Sequence, residues 1–312
     1  MALGTFRPKR RHSPGLTIGQ KLALLRFGID WFLLGKRRPL VAGVPLTDSC
    51  NLSCAHCVVK NGRMGHHSFE RICGWIDDLY TAGARFLYLQ GGEIVTWEDK
   101  GKGPNDVIAA ARKRGFMRVA AVTNGTLPID LDADAVWVSV DGPEEVHDSI
   151  RGEGSFAKLW NNVSTSSHPG LYANITLNSV NASFLEETVR AVEKIPGFRG
   201  MSINFHTPYQ GVENLNLPRA NRQELVSRIL ALKKSGHHIL NSRAGLKNLG
   251  TGKYKRPIWM IRLVEQGRMF ECCWGREQPG LCERCGYGII AEMAAMAQLK
   301  PSAALQALSI YG

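Results

Sequence analysis

Cys50-Asn51-Leu52-Ser53-Cys54-Ala55-His56-Cys57 sets three cysteines at C-x3-C-x2-C spacing, directly after a strand-like apolar run from Leu40 to Leu46. Thiolates are soft ligands that suit iron–sulfur clusters. A [4Fe–4S] cubane takes four ligands, so three thiolates leave one iron open to a substrate or cofactor unless a further side chain closes it. Two other readings compete: structural thiols, or half of a zinc site. Zinc sites close with a fourth Cys or His, often from a second Cys-x2-Cys pair. The cluster is the favoured reading.

Outward from this loop, strand and helix patterns alternate. Predicted strands cover 41–46, 86–89, 118–122, 135–140, 172–180 and 201–205. Predicted helices cover 68–82, 104–114, 155–163, 185–194 and 219–234. Strands alternating with helices make a parallel sheet with right-handed crossovers. In barrels of parallel strands the chemistry sits at the C-terminal strand ends, and the polar motifs of this chain fall there in succession. Gly91-Gly92-Glu93 follows the second strand; two glycines allow close backbone approach to a ligand, and the carboxylate can accept from an ammonium. Taken alone it is a turn. Thr123-Asn124-Gly125 follows the third strand and is also a turn sequence. Ser139-Val140-Asp141-Gly142-Pro143 closes the fourth strand, and His147-Asp148-Ser149-Ile150-Arg151-Gly152 comes after it. These offer acceptors for hydroxyls and an arginine able to grip a carboxylate, or, for Asp141, a plain helix cap. Asn174 and Asn178 share one face of the fifth strand. Asn204-Phe205-His206-Thr207-Pro208-Tyr209 follows the sixth, where His206 and Tyr209 are candidates for substrate contact or proton handling. Cys73 reads as a small core hydrophobe.

Taken together, these motifs resemble the radical S-adenosylmethionine (SAM) superfamily, whose signature is C-x3-C-x2-C after a first strand. The resemblance implies an α/β fold, a partial (β/α)6 TIM-type barrel of parallel strands. It also implies a [4Fe–4S] cluster on Cys50, Cys54 and Cys57 as the catalytic metal ligands. Its open iron would chelate the amino and carboxylate groups of SAM, and one electron would cleave the sulfonium to a 5′-deoxyadenosyl radical. An electron donor such as flavodoxin or ferredoxin is implied with it. By the same resemblance Glu93 receives the SAM amino group, Asn124 lies beside the cofactor, Ser139, Asp141 and Asn178 meet the ribose, and Arg151 approaches the SAM carboxylate. The chain departs from the pattern at His56, where an aromatic is commoner, and at Ile94, where proline is usual. The string from Ser139 to Gly152 closely resembles members related to peptide maturases and cofactor-synthesis enzymes.

Two end segments stand apart. Cys272, Cys273, Cys282 and Cys285 crowd a short stretch and are candidate ligands of a second iron–sulfur cluster or a zinc ion. At the front, Thr17 is a candidate cap for a helix running to Leu34, with Ile18, Leu22, Leu25, Ile29 and Phe32 on one face and Leu24, Phe27, Trp31 and Leu34 widening it. That helix reads as packed across the barrel bottom, or as an interfacial membrane helix flanked by basic residues. The apolar front helix, the basic stretch after it and the tail cysteines give a looser likeness to hopanoid-biosynthesis-type radical SAM proteins. From 291 to 308 short alanine-rich helices are expected, with Met293, Met296, Leu299, Leu305 and Leu308 as their apolar residues.

Composition bounds the rest. An apolar content of 44% over 312 residues supports a sizeable core. The net charge of +12 is concentrated at the front, in Arg7, Lys9, Arg10, Arg11, Lys21, Arg26, Lys36, Arg37 and Arg38. No aromatic-rich basic stripe accompanies it, so no nucleic acid is expected as a partner. Eight cysteines without a secretory signal point to the reducing cytoplasm, with membrane contact expected at its inner face. Three segments are expected: a basic tail and amphipathic helix over 1–39, the barrel over 40–240, and a Cys-rich extension over 241–312. The leading reading is an enzyme acting on a hydrophobic lipid or isoprenoid substrate. The alternatives are a maturase of a peptide or small cofactor precursor and, in another class, a non-catalytic metal- or nucleic-acid-binding protein.

Overall fold

The computed structural model describes residues 15–59, 65–265 and 267–303. The early cations Arg7, Lys9, Arg10 and Arg11 lie outside the described residues, as do Leu305 and Leu308. In chain order the elements are α1 (Ile18–Phe32), β1 (Val41–Pro45), α2 (Phe69–Ala82), β2 (Phe86–Gln90), α3 (Pro104–Arg114), β3 (Arg118–Thr123), β4 (Ala135–Ser139), α4 (Glu144–Arg151), α5 (Ser155–Thr165), β5 (Leu171–Leu177), α6 (Leu185–Lys194), β6 (Phe198–Phe205), α7 (Arg219–Lys234), α8 (Arg243–Thr251), β7 (Ile261–Glu265), β8 (Arg268–Glu271) and α9 (Gly288–Ala297).

The strands form one sheet in the order β6-β5-β4-β3-β2-β1-β7-β8. Every neighbouring pair is parallel except the β7–β8 hairpin. The expected α/β partial barrel is therefore what forms. Parallel strands buried on both faces read as continuous apolar runs, and β1 is buried at every position. Local signals set the helix limits: Ser68 caps α2 by accepting from the Arg71 amide, and Gly83 stops it; Pro104 opens α3 and Gly115 closes it.

The structure departs from expectation at several points. β5 stops at Leu177 rather than running to 180. The Asn178 amide donates to Asn181 Oδ1 at 2.7 Å, and Asn178 Oδ1 accepts from the Val180 amide at 2.8 Å. Side chains thus replace the ladder with a turn, and Asn178 sits beyond the strand rather than on its face. α4 was hidden behind the turn signal of Gly142-Pro143. The glycines Gly245 and Gly250 disguised α8. β7 pairs in parallel with β1, so the sheet continues past residue 240. The front helix is capped at Thr17 by a capping box with Gln20, but of the apolar face expected to pack, only the widening residues Phe27 and Trp31 dock on the barrel. Phe27 and Trp31 pack on Trp259 at the N-terminal entry to β7, whereas Ile18, Leu22, Leu25, Ile29 and Phe32 stay exposed. No described helix is long and apolar enough to cross a membrane.

Candidate active site at the C-terminal strand ends

Because β1 to β6 run parallel, the loops that leave them converge on one end of the sheet. The cysteine loop leaves β1 and is pinned from two sides. The Gly92 amide donates to the Thr47 carbonyl at 2.7 Å, the Glu93 amide to Ser49 at 2.9 Å, and the Ala55 amide to Ile150 at 2.8 Å. A Cβ on Gly92 would stand 2.1 Å from the Ser49 carbonyl oxygen. What approaches these glycines closely is thus the cysteine loop itself rather than a ligand. The Leu52 amide points at Cys50 Sγ, 3.4 Å away, and Asn124 Nδ2 lies 3.8 Å from the same sulfur. Burial raises the pKa of Cys50, reinforced by Glu93 and Cys57, and that of Cys54, reinforced by Cys57 and Cys50 against the pull of Arg151. Binding a metal would therefore release protons from these thiols.

Glu93 has no exposure, and three donors hold its carboxylate. Oε1 accepts from Thr123 Oγ1 at 2.7 Å and from the Val95 amide at 3.2 Å; Oε2 accepts from the Asn124 amide at 2.7 Å. A carboxylate has about four lone-pair sites, so an acceptor site remains. Burial raises the Glu93 pKa against these hydrogen bonds. The Asn124 side chain is knitted into the same wall: Nδ2 donates to Asn51 Oδ1 at 2.9 Å, and Oδ1 accepts from Thr126 Oγ1 at 2.7 Å.

Asp141 is fully buried and is the centre of a second network. Its Oδ2 accepts from Arg151 Nε at 2.6 Å, its Oδ1 accepts from the Thr176 amide at 3.1 Å, and its own amide donates to His147 Nδ1 at 3.2 Å. His56 Nε2 stands 3.9 Å from Oδ2. Burial alone would raise the Asp141 pKa, but Arg151, His56, His147 and the Thr176 amide outweigh it, and the carboxyl titrates below its ordinary range. Burial lowers His56 and His147 to about 4, so both imidazoles are neutral. α4 carries Arg151 back to Asp141. The expected separate roles of these two residues, one on ribose and one on a carboxylate, therefore meet in one ion pair. Ser139 ends β4 half-buried, opposite Asn174. Asn174 Oδ1 is taken by Asn204 Nδ2 at 2.8 Å.

Three buried polar atoms at this end have no partner among the described residues: His56 Nδ1, His147 Nε2 and Asn178 Nδ2. Buried polar groups are normally satisfied, so these are donors or acceptors in search of a ligand. His206 is less available, since its Nε2 lies 2.9 Å from the Val212 carbonyl. Tyr209 Oη contacts Tyr287 Oη at 3.3 Å and Cys273 Sγ at 3.6 Å, and its ring stacks on Trp274.

The tail reaches the same mouth. The Phe205 amide donates to the Gly286 carbonyl at 2.9 Å, and the Gly286 amide donates to Thr207 Oγ1 at 2.9 Å. Tyr209, Val212 and Leu281 pack against Trp274 and against Val58, the residue after Cys57. A hydrogen bond from Cys272, with help from Tyr209, lowers the pKa of Cys273; burial pushes Cys285 up to about 11. Among the described residues no three His, Cys, Asp or Glu side chains converge as they would on one ion. A four-iron cluster holds its thiolates farther apart than a single ion holds its ligands. The soft donor trio and the unpartnered Asn178 amide fit a cluster with an organic cofactor beside it.

No protein-family model matches the chain. Among curated proteins, the antilisterial bacteriocin subtilosin biosynthesis protein AlbA of Bacillus subtilis is 31% identical over 153 residues, 45% of this chain and 33% of that one. Mycofactocin maturase MftC of Mycobacterium tuberculosis is 25% identical over 195 residues, 56% of this chain and 50% of that one. The chain thus spans half or less of the length of these relatives. Among solved structures, Streptococcus suis SuiB bound to S-adenosylmethionine superposes with a TM-score of 0.61 at 11% identity, over 85% of this chain and 68% of that one.

The chain is similar in sequence and in fold to radical SAM enzymes.

In this barrel Cys50, Cys54, Cys57, Glu93, Asn124, Asp141, Arg151 and Asn178 all lie at the mouth. The sequence reading missed their supports. Thr123 and Thr126 flank Asn124 and were legible only as turn residues. The Asn178/Asn181 spacing is an Asx-turn signal. Arg222 gave no signal: it is a buried arginine on α7 whose Nη2 donates to the His206 carbonyl at 2.9 Å and whose Nη1 donates to the Cys285 carbonyl at 3.3 Å. Cys73 sits half-buried on α2.

Proposed function

We propose that the protein is a radical SAM enzyme that modifies a peptide precursor. The observation that carries the reading is the trio of thiols held by the Gly91–Glu93 loop at the C-terminal end of a parallel sheet. The relatives support the substrate class. AlbA and MftC are named for bacteriocin biosynthesis and mycofactocin maturation, and SuiB has been solved with its precursor peptide SuiA. The lipid or isoprenoid substrate expected from the front helix, and the hopanoid likeness, draw no support from these relatives.

When bound, the cluster and SAM would supply single-electron cleavage of the sulfonium to an adenosyl radical. The protein's part is ligation, orientation and exclusion of water. Cys50, Cys54 and Cys57 would hold three irons. The remaining acceptor site of Glu93 would take the SAM ammonium, whose positive charge would offset the burial that raises this carboxyl's pKa. Arg151 has five N–H donors, and the Asp141 pair uses Nε; the others would grip the SAM carboxylate. Ser139 and the free amide of Asn178 would meet the ribose hydroxyls. Asp141, committed to Arg151, acts as the positioning residue for that grip. Neutral His56 would line the adenine side. Cys272, Cys273, Cys282 and Cys285 do not converge as ligands of a single zinc ion would; they would hold a second cluster, and a flavodoxin or ferredoxin would supply the electron.

Short peptides encoded beside the gene, incubated with reconstituted protein, SAM and dithionite, test the substrate class by mass spectrometry. The expected result is a SAM-dependent mass change on one peptide. Unchanged peptides, with modification of an isoprenoid lipid instead, would reverse the assignment.

A further inference from the structure

We propose that the outward face of α1 lies in the plane of an anionic lipid surface and holds the protein there. The helix carries two apolar sides. The inner one is spent on the fold: Phe27 and Trp31 set their rings 6.4 and 5.1 Å from Trp259. The outer one is not. Ile18 is 78% exposed, Leu22 59%, Leu25 61%, Ile29 44% and Phe32 47%. Their 4-3-4-3 spacing makes a single stripe. A helix anchored by one face needs no second apolar face, and a contiguous exposed stripe of this kind marks an interaction surface.

Charge selects the occupant. At about 100° of rotation per residue, Lys21 and Arg26 fall on the two borders of the stripe. Both are exposed, and neither has an ion pair among the described residues. Exposed Lys36, Arg37 and Arg38 continue the basic edge beyond the helix. Asp30 is the sole acid between residues 15 and 40; it is buried, 3.5 Å from Lys36 Nζ and 3.8 Å from Arg38 Nη1. The outer face therefore has cations on both edges and no anion. A second copy docking through the same stripe would bring like charges together. An anionic bilayer offers acyl chains to the stripe and headgroup phosphates to the cations. α1 is held at the N-terminal entry to β1 and β7, while the cysteine loops leave the opposite end of the sheet. A protein bound this way turns its mouth away from the bilayer, toward substrates that arrive from solution.

Flotation of the full chain with vesicles tests this. The wild type should rise with phosphatidylglycerol–phosphatidylcholine vesicles and remain largely unbound with phosphatidylcholine alone. Leu22→Ser/Leu25→Ser and Lys21→Glu/Arg26→Glu should each lower the bound fraction about tenfold, with unchanged thermal melting because these side chains are exposed. Failure of the wild type to float, equal binding to neutral vesicles, or variants that float like the wild type would overturn the proposal. So would a vesicle-free dimer that Leu22→Ser/Leu25→Ser converts to monomer, since the face would then belong to a second copy. None of these outcomes bears on SAM cleavage.

Discussion

Arg151 and Asp141 pair at 2.6 Å with almost no exposure, so each is the main counter-charge that offsets the other's burial. Arg151→Met would leave a buried carboxylate without its cation, and breaking one side of such a pair costs about 3–5 kcal/mol. Urea unfolding should show that loss; a variant as stable as the wild type would mean the pair is solvated. His147 sets a pH dependence. Its pKa falls from 6.5 to about 4 on folding because burial disfavours the imidazolium. Between those values the unfolded chain binds more protons than the folded one, so stability falls as pH drops through that window. His56 contributes with the same sign. His147→Asn keeps an acceptor for the Asp141 amide and removes one titration. It should therefore flatten the decline in unfolding free energy between pH 7 and pH 5, and an unchanged slope would exclude His147 as a source.

At the scale of elements, the tail is held on the mouth by the close approach of two backbones. A Cβ on Gly286 would lie 1.8 Å from the Phe205 carbonyl oxygen. Gly286→Ala should push the tail off β6, cost about 1–3 kcal/mol, and expose the Cys282–Cys285 segment to limited proteolysis. Gly74→Ala is the control: nothing lies within 4 Å of its Cβ on α2, so it should stabilise by roughly 0.8 kcal/mol. The same contrast explains what the sequence made legible. Long amphipathic helices such as α2, and strands bounded by glycine or proline, announce themselves by period. β7 and β8 hold five and four residues and follow no helix pattern that would mark a further strand–helix unit; β7 is defined by its pairing with β1, and β8 by its pairing with β7. The cysteines and Glu93 were legible because they lie in the loops just after β1 and β2, and Arg151 because it closes the motif string that begins at the end of β4. Their pairing was not, because the contact between Asp141 and Arg151 depends on α4 folding back, which no local pattern encodes.

The whole molecule separates two ends: a mouth built from the loops after β1 to β6 and sealed by the tail, and a front helix on the far side whose apolar stripe faces outward. The central claim is that three thiols at the mouth hold a cluster that cleaves SAM, and product analysis tests it most directly. Protein loaded anaerobically with iron and sulfide, then given dithionite and SAM, should release 5′-deoxyadenosine and methionine. Cys54→Ala, with the same far-UV circular dichroism, should release neither. Full iron loading without 5′-deoxyadenosine, or equal release from Cys54→Ala, would contradict the account.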